Sequence, residues 1–362
     1  MRILVSMSGG VDSSTVAHLL KEQGHDLVGV RMNLWTDPLA PAAAQLLPSK
    51  CCDVQTVARA QQVANNLGIE YHTIDLQDEF KQEVVDTFID QYRSGLTPNP
   101  CVHCNKVIKF GLLHEIAEKF GCEKVATGHY ARIEEESQTD GSQHYHLLEA
   151  VDNTKNQAYF LYRLDQEQLA HSLFPLGDKK KKDVLTLAKE YGIPLPDQYE
   201  ESQDVCFYPE RKPRAFLERH ICDASPGDIV LEDDTKVGEH RGIPFYTIGQ
   251  RRGLNVGGLK IPLHVVKKDA KNNTIVVAPD GEDFRSSLTA SDINWICTEP
   301  DKDTELVFEA RINSNGGRKS CSIVWNGSDI HCTFSEPIRG IAPGQSLVLY
   351  EEEELVGGGI IA

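Results

Sequence analysis

No apolar run in this 362-residue sequence approaches the length of a membrane-spanning helix. Residues 1–6 lead directly into a glycine-containing loop with no room for a cleavable signal, so we expect a cytoplasmic protein with no membrane partner. Positive charge is also scarce, with 37 Lys and Arg against 54 Asp and Glu and a formal net charge of −17. That balance excludes nonspecific coating of nucleic acid, but it leaves the basic runs 179–182, 251–252 and 267–268 as candidate phosphate contacts.

Paired thiols are scarce too, because only Cys101 and Cys104 among ten cysteines form a Cys-x-x-Cys pair. Without a second pair a common zinc ribbon cannot be completed, which leaves a redox dithiol, half a zinc site or iron–sulfur ligation. In a reducing compartment this cysteine content indicates thiol chemistry or metal ligation rather than a disulfide framework. Five further thiols in strand-like or helix-end settings are expected to be buried and inert: Cys122, Cys222, Cys297, Cys321 and Cys332.

One segment has the pattern of a phosphate-binding loop. Residues 8–14 read Ser-Gly-Gly-Val-Asp-Ser-Ser, between an apolar run and a helix-like stretch. The glycines allow a sharp turn close to a ligand, and the helix start offers N–H groups to an anion. Ser8, Ser13 and Ser14 can donate hydrogen bonds to phosphate, and Asp12 can hold Mg²⁺. Because no lysine follows the glycines, this is not a Walker loop, and it predicts binding of ATP by its pyrophosphate.

Strands alternate with amphipathic helices over the first two hundred residues, which predicts an α/β fold with a doubly wound parallel sheet. The predicted strands of this part are 27–32, 71–74 and 124–126, and the predicted helices are 54–67, 80–92 and 110–120. Ligands of such sheets lie at the carboxyl ends of the strands, where the phosphate loop, Met32 and residues 127–129 fall.

After about residue 205, short runs punctuated by proline and glycine predict a small β-rich central domain and then a closed C-terminal β-barrel. The predicted strands of these modules are 228–231, 244–248, 263–267, 274–277, 305–312, 321–325, 329–334, 346–350 and 356–361. We therefore expect three domains, at residues 1–208, 209–280 and 281–362.

The settings of the thiols differ. Residues 97–105 read Thr-Pro-Asn-Pro-Cys-Val-His-Cys-Asn, and the two prolines and two asparagines predict a constrained loop outside helix and strand. Cys206 lies in a polar stretch at the predicted domain junction, where we expect an exposed and mobile thiol. Spacing alone does not bring Cys206 to Cys104. Adenylation of a carbonyl oxygen creates a leaving group, however, and a sulfur nucleophile is the natural second half of that reaction.

Eight segments, in order along the whole chain, resemble the bacterial tRNA-specific 2-thiouridylase family. Besides the phosphate loop, they are 97–105, 126–130, 159–162, 202–207, 247–254, 343–345 and 357–361. The phosphate loop alone recurs in GMP synthetases, argininosuccinate synthetases and tRNA lysidine synthetases, whereas the cysteine segments together with the late glycine-rich segments are specific.

The resemblance implies a PP-loop ATP pyrophosphatase domain and an enzyme that thiolates C2 of the wobble uridine, position 34, in tRNAs for Lys, Glu and Gln. It implies adenylation of the C2 oxygen by ATP with Mg²⁺, followed by transfer of persulfide sulfur and release of AMP and pyrophosphate. The implied sulfur donor is a cysteine desulfurase or a sulfur-relay protein. Without tRNA the chain is expected to be a monomer.

The resemblance also assigns residues to roles. Cys104 is the implied nucleophile, and Cys206 is the implied carrier of the persulfide, with a disulfide between them after transfer. The implied ATP-binding residues are Ser6, Met7, Ser8, Gly9, Gly10, Val11, Asp12, Ser13, Met32 and Gly128. The implied tRNA-binding residues are Asn99, Pro100, Cys101, His129, Lys155, Asn156, Gln157 and Gln345.

Alternatives remain at the thiols. Cys101 stands where many relatives carry an acidic residue, so Cys101, Cys104 and Cys206 are an alternative ligand set for a 4Fe-4S cluster that holds the sulfur. Residues 156–158 and 313–314 also depart from the family's RNA-contact pattern. A more distant alternative is another PP-loop adenylating ligase, which would be indifferent to loss of these cysteines.

Overall fold

The computed structural model describes residues 1–41, 54–194, 205–254, 256, 261–281 and 284–362. The strands of the first part are β1 (Arg2–Ser6), β2 (Asp26–Asn33), β3 (Glu70–Asp75), β4 (Lys124–Ala126), β5 (Ala131–Ser137), β6 (Gln143–Glu149) and β7 (Ser172–Leu173). Within the described ranges, five of them form a parallel sheet in the order β3-β2-β1-β4-β7. The strand order reverses between β1 and β4, so the loops that follow these two strands open at the switch point of the sheet. The predicted doubly wound α/β architecture is confirmed.

Helices cover this sheet. They are α1 (Val11–Glu22), α2 (Val54–Leu67), α3 (Gln77–Phe80), α4 (Thr87–Arg93), α5 (Pro100–Cys104), α6 (Leu113–Lys119), α7 (Gln166–Ala170), α8 (Lys181–Glu190) and α9 (Arg214–His220). π-helical turns at Lys81–Asp86 and Asn105–Leu112 join α3 to α4 and α5 to α6. None of the described helices is long and apolar enough to cross a membrane. Apolar side chains such as Phe80, Phe88 and Ile108 pack against Leu4 and Val28 of the sheet.

The segment around the Cys-x-x-Cys pair differs from its prediction. Pro100 is the first residue of α5, a position where its missing N–H has no helical partner to lose and its fixed φ suits the helix. Asn99 caps the helix, since its Oδ1 accepts a hydrogen bond from the backbone N–H of Val102 at 3.4 Å. The residues interpreted as helix breakers are therefore helix-start signals, and the predicted loop is wrong. Because Cys101 and Cys104 are three residues apart on a helix, they lie on one face.

The central domain contains β8 (Gly227–Val230), β9 (Lys236–His240), β10 (Leu263–Asp269) and β11 (Thr274–Pro279). In the described part these strands form a sheet in the order β10-β11-β8-β9. The predicted strand 244–248 is wrong, because Ile243–Phe245 is a 3₁₀ turn that follows Gly242 at a φ of 141°. Pro244 has no N–H to give to a strand ladder.

The C-terminal strands close into a barrel. They are β12 (Arg285–Trp295), β13 (Glu305–Arg311), β14 (Lys319–Trp325), β15 (Ile330–Ile338), β16 (Ser346–Glu351) and β17 (Glu354–Ile361). β12 pairs with both β15 and β17, so the six antiparallel strands of this described region have no free edge between them. The predicted closed barrel is confirmed.

A hairpin of the first part extends the barrel sheet. β5 and β6 pair with each other, and β6 reaches β17 through Leu148 and Glu354. Behind this join, the buried Glu149 forms ion pairs with Arg318 and, at 3.3 Å, with Arg311. The barrel is thus attached to the parallel-sheet domain through β5 and β6, which places the C-terminal residues near the site described next.

Candidate active site

The phosphate loop has a backbone that only glycine allows. Gly9 has a φ of 79°, and a Cβ added there would lie 2.0 Å from the backbone oxygen of Thr56. Gly10 precedes α1 in an extended conformation, and its N–H donates to Ser8 Oγ at 3.3 Å. Ser8 Oγ also lies 3.2 Å from Ser13 Oγ. The two hydroxyls and the start of α1 therefore form one preorganised set of donors for an anion.

Other parts of the fold hold this loop in place. Arg59, on α2, donates a hydrogen bond from Nη1 to the carbonyl oxygen of Gly9 at 2.9 Å. A Cβ on Gly128 would lie 3.0 Å from Asp12 Cβ and 3.1 Å from Ser13 N, so the chain after β4 touches the start of α1. The structure thus brings together the phosphate loop and Gly128. The sequence did not single out Arg59, because a cation on an amphipathic helix carries no distinctive signal.

Four of the remaining predicted ATP residues form the base of the site. Ser6 ends β1, and Met7 is fully buried with its N–H donating to Val30 O at 2.8 Å. Val11 is fully buried at the start of α1, while Met32 is half-buried near the end of β2. All four lie at the carboxyl edge of the sheet, as expected for a parallel α/β fold.

The carboxylate of Asp12 is already engaged. Lys181 Nζ donates to its two oxygens at 2.7 and 2.8 Å, and Tyr130 Oη donates to Oδ1 at 3.0 Å. The Lys181 side chain is only 9% exposed, and its backbone N–H at the start of α8 donates to Asp152 Oδ2 at 2.8 Å. The Asp12 carboxylate is thus paired with a cation, and its predicted role in holding magnesium stays a prediction. The basic run 179–182 contained the signal for a phosphate-side cation, but not which lysine turns inward.

The three thiols of interest have different exposures. Cys101 is exposed, Cys104 is buried and Cys206 is half-buried, and none of these three described thiols is in a disulfide. Cys104 belongs to the apolar cluster between the helices and the sheet, and Cys206 packs against the same cluster. The prediction of an exposed Cys206 is wrong, because the neighbouring Phe207 is only 1% exposed and anchors the segment.

Other cysteine predictions have mixed outcomes. Cys122, Cys321 and Cys332 are buried as expected, and Cys297 is half-buried, whereas Cys222 is exposed. Residues 201–204 beside Cys206, and the adjacent pair at 51–52, lie outside the described residues.

Lys109 lies near both the loop after β4 and α5, which carries Cys101 and Cys104 and is called the thiol helix below. Cys101 is exposed as a residue, but desolvation at its sulfur raises the pKa of the thiol, and the nearby Lys109 ammonium opposes that shift. Burial, together with the same Lys109, holds the pKa of His129 well below its ordinary value. His129 Nδ1 lies 2.6 Å from Thr127 Oγ1, and its ring packs 5.6 Å from that of Phe110. His129 is therefore neutral at pH 7, and it offers a ring face rather than a cation.

The described residues contain no group of three or more His, Cys, Asp or Glu side chains arranged to hold a metal ion. Cys101 and Cys104 share a helix face, but Cys206 does not complete a ligand set with them. The described residues therefore offer no ready three-thiol set, and the cluster alternative stays a prediction.

Three of the predicted RNA contacts lie on a short turn beside Tyr130. Gln157 makes two hydrogen bonds to the backbone of Tyr130. Its side-chain Oε1 accepts from the N–H of Tyr130 at 3.0 Å, and its backbone N–H donates to the carbonyl of Tyr130 at 2.8 Å. Asn156 Oδ1 accepts from the N–H of Ala158 at 3.1 Å, and Lys155 is half-buried next to it. The amide side chains hold the turn in shape, so their contribution at this site is to position it.

Gln345 connects the barrel to the segment before the thiol helix. Its Nε2 donates to Thr97 O at 2.7 Å and to Pro98 O at 3.3 Å, while the N–H of Thr97 donates to Pro343 O at 2.7 Å. Beside this clamp lies a small cleft that opens to solvent. Its walls come from α4, the start of α5 and the barrel, and include Phe88, Gln91, Asn99, Pro100, His103, Arg163 and Ser346.

Lys268, a predicted phosphate contact, is instead a clamp between domains. Its Nζ donates to Leu96 O and to Tyr246 O, both at 3.1 Å, and lies 5.7 Å from the ring centroid of Tyr92. Burial lowers the pKa of Lys268 to about 8. The prediction for this residue is wrong, since its ammonium is spent on protein carbonyls and is not available to RNA.

Comparisons with known proteins give a consistent picture. Family models match residues 1–210 as a tRNA methyl transferase HUP domain, residues 214–279 as a tRNA methyl transferase PRC-barrel domain, and residues 285–361 as an aminomethyltransferase beta-barrel domain. Among solved structures, a 4-thiouridine synthetase–RNA complex with bound ATP matches with a TM-score of 0.31 at 15% identity, covering 61% of this chain and 50% of that chain. That similarity is too low to bear on function.

Curated relatives are much closer. The tRNA-specific 2-thiouridylase MnmA 1 of Caldanaerobacter subterraneus subsp. tengcongensis is 42% identical over 362 residues, covering 99% of this chain and 97% of the relative. The tRNA-specific 2-thiouridylase MnmA of Symbiobacterium thermophilum is 40% identical and covers 99% of this chain and 92% of the relative. Since such identity extends over almost the whole chain, the protein belongs to the tRNA-specific 2-thiouridylases, a family of ATP-using tRNA-uridine 2-sulfurtransferases.

Proposed function

We propose that this enzyme thiolates C2 of the wobble uridine in tRNAs for Lys, Glu and Gln, with ATP as the activator and a persulfide as the source of sulfur. One observation carries the proposal. The phosphate loop touches Gly128, and the ring of the adjacent His129 packs 5.6 Å from that of Phe110, on the helical turn that directly follows Cys104. A nucleotide site and a thiol site are therefore neighbours in the fold.

The first half of the reaction activates the uridine. Its C2 oxygen attacks the α-phosphorus of ATP, and pyrophosphate leaves with the electrons of the broken P–O bond. The donors at Ser8, Ser13 and the start of α1 would hold the departing pyrophosphate. Lys181, now bonded to Asp12, has an ammonium within the same site and would be drawn to the phosphate charge when ATP is bound.

The second half transfers sulfur. The terminal sulfur of a persulfide on Cys206 attacks C2, and AMP leaves with the electrons of the C2–O bond. Cys104 then attacks Sγ of Cys206 and breaks the S–S bond, which leaves 2-thiouridine and a Cys104–Cys206 disulfide. A dithiol reductant and a persulfide-bearing donor protein complete the cycle. Packing of both cysteines on one apolar cluster supports this pairing.

The RNA must present an unstacked base. An anticodon loop is single-stranded, so moving its uridine into a pocket costs less than flipping a paired base. Asn99, Pro100 and Cys101 at the start of α5 would surround that base, and the neutral ring of His129 would face the RNA beside them. Gln345 would act through its hold on the preceding segment as well as by direct contact.

The test is reconstitution with tRNA, ATP and a persulfide donor, followed by mass spectrometry of the nucleosides. We expect Cys104→Ser and Cys206→Ser each to abolish 2-thiouridine formation. Cys222→Ser is the matched control, because this thiol is exposed and lies outside the site, and it should retain activity. Thiolation that survives loss of Cys104 or Cys206 contradicts the proposal and favours a different adenylating ligase.

Iron quantitation after anaerobic purification tests the source of sulfur. We expect full thiolation by iron-free enzyme supplied with a persulfide donor. A stoichiometric cluster that is required for activity would replace the persulfide route by the cluster route. Activity with each of the three tRNAs, against a tRNA without a wobble uridine, tests the substrate range.

A further inference from the structure

A buried carboxylate, Asp37, lies at the centre of a charged network outside the site described above. Its side chain has no exposed surface. Arg219 donates to its Oδ2 from Nε at 2.9 Å and from Nη2 at 2.6 Å, and His220 Nε2 lies 2.9 Å from its Oδ1. The N–H of Leu39 also donates to Oδ1, at 3.0 Å. Both carboxylate oxygens are thus fully used.

The network lies where it can control Cys206. Asp37 follows β2 at the carboxyl edge of the sheet, the same edge as the phosphate loop. The backbone N–H of Asp37 donates to the carbonyl of Phe207 at 3.0 Å, one residue after Cys206. Arg219 also binds Glu210 through two hydrogen bonds, at 2.6 and 3.1 Å. Residues 207–210 are therefore attached to the network at both ends, through the backbone N–H of Asp37 at Phe207 and through the Glu210 side chain at Arg219.

Packing reinforces this attachment. The ring of Phe207 lies 5.3 Å from that of Phe88 and 5.4 Å from that of Phe216, which belongs to the same helix as Arg219. Trp35, two residues before Asp37, lies 6.5 Å from the Phe207 ring. An aromatic anchor alone would allow the chain to slide, whereas the directional hydrogen bonds of the network define its register.

We infer that Asp37 is the positioning residue for Cys206, and that Arg219 is its partner in this role. The inference rests on the proposed function, in which Cys206 carries the sulfur to C2. The backbone that bears a carrier thiol must be held in place, because the distance from the sulfur to the reacting carbon decides the transfer rate. The desolvated pair of Asp37 and Arg219 anchors the segment that follows Cys206. This anchor loses its geometry when either partner is removed.

The experiment uses the full-length enzyme loaded with persulfide and mixed with tRNA and ATP in a single turnover. For Asp37→Asn and Arg219→Gln we expect sulfur transfer to slow about tenfold or more. Pyrophosphate release without sulfur, and the KM for tRNA, should stay within about twofold of wild type, since these depend on parts of the site that the network does not touch. We also expect the alkylation rate of Cys206 to change while that of Cys104 does not.

Glu149→Gln is the matched control. Glu149 is also a buried carboxylate that pairs with arginines, but it joins the hairpin to the barrel. The Glu149→Gln substitution should lower the melting temperature and leave the alkylation rate of Cys206 at the wild-type value. A purely structural role for Asp37 would make the two carboxylate variants behave alike.

The outcomes separate this inference from the proposed function. Wild-type enzyme that forms no 2-thiouridine overturns the proposed function. Active wild type with unchanged sulfur transfer and Cys206 alkylation in folded Asp37→Asn overturns the positioning role alone. If neither Asp37→Asn nor Arg219→Gln folds, the network supports the whole domain rather than the Cys206 segment, and the inference is also wrong.

Discussion

Replacement of Lys268 by methionine removes a buried cation from between the central domain and the segment that leads into the thiol helix. Burial lowers the pKa of Lys268 from 10.5 to about 8. At 1.36 kcal/mol per pKa unit, the charged form is disfavoured in the folded state by about 3 kcal/mol. The substitution removes this cost but leaves the carbonyls of Leu96 and Tyr246 without their donor, at roughly 1–3 kcal/mol each. We therefore expect the free energy of unfolding of Lys268→Met at pH 7 to lie between about 1 kcal/mol above and about 3 kcal/mol below that of wild type.

The pH dependence separates these two effects. Between pH 8 and 10.5 the unfolded chain keeps the Lys268 proton that the folded chain has lost, so the unfolded state binds more protons there. The free energy of unfolding of the wild type must then rise with pH across that window, relative to a variant without the lysine. At pH 10.5 wild type should be more stable relative to Lys268→Met than it is at pH 7, by about 3 kcal/mol.

The assay is the difference in melting temperature between variant and wild type at a series of pH values from 7 to 10.5. Lys267→Met is the control, because Lys267 is the adjacent exposed lysine and its loss changes net charge equally. We expect its difference from wild type to stay flat. A difference for Lys268→Met that is equally flat would refute the argument that this ammonium is buried at a cost.

Substitutions at three further positions test the backbone that frames the site. Gly9→Ala should lower ATP binding and stability by at least about 2 kcal/mol in calorimetry, since its Cβ would meet the Thr56 carbonyl at a left-handed φ; equal binding would contradict the loop geometry. Gln345→Ala should lower the melting temperature through loss of its bonds to the 97–98 backbone, and Gln345→Glu should lower it more, because a carboxylate would face carbonyl oxygens. Asn99→Ala should cost about 1 kcal/mol through the lost cap of α5, and Asn99→Ser should restore stability; failure of Ser to restore it would rule out capping as the cause.

The parallel sheet was predictable because its signals are local. β1 and β2 are apolar runs buried on both faces, and each is followed by a turn with its own chemistry. The loop at residues 8–14 adds a glycine pattern whose backbone requirement holds in any context, as the φ of Gly9 illustrates. Closure of the barrel followed from even spacing of short strands in the same way.

The thiol helix was not predictable from the same kind of reasoning. Pro and Asn interrupt helices at most positions, but Asn favours the N-cap and Pro favours the first helical residue. Only the residues after Cys104 decide whether the Asn-Pro pair interrupts a helix or begins one. The helical segments from Pro100 onward continue without interruption to Lys119, so the proline is at a beginning rather than an end. The pair Asn99-Pro100 is thus a signal for the start of a helix, although it suggests a loop when these residues are considered alone.

The roles of Lys181 and Lys268 could not be predicted from the sequence, because their partners are distant along the chain. Lys181 meets Asp12 across 169 positions, and Lys268 meets Leu96 across 172. Both came from basic runs that indicated solvent or phosphate contact, yet burial and partner decide their roles. Lys181 lies beside the phosphate loop through its bonds to Asp12, so its ammonium would need to move little to exchange that carboxylate for a ligand anion. Lys268 faces two neutral carbonyls and has no anion to exchange. The same residue type in the same kind of run therefore lies beside the phosphate loop in one place and joins two domains in the other.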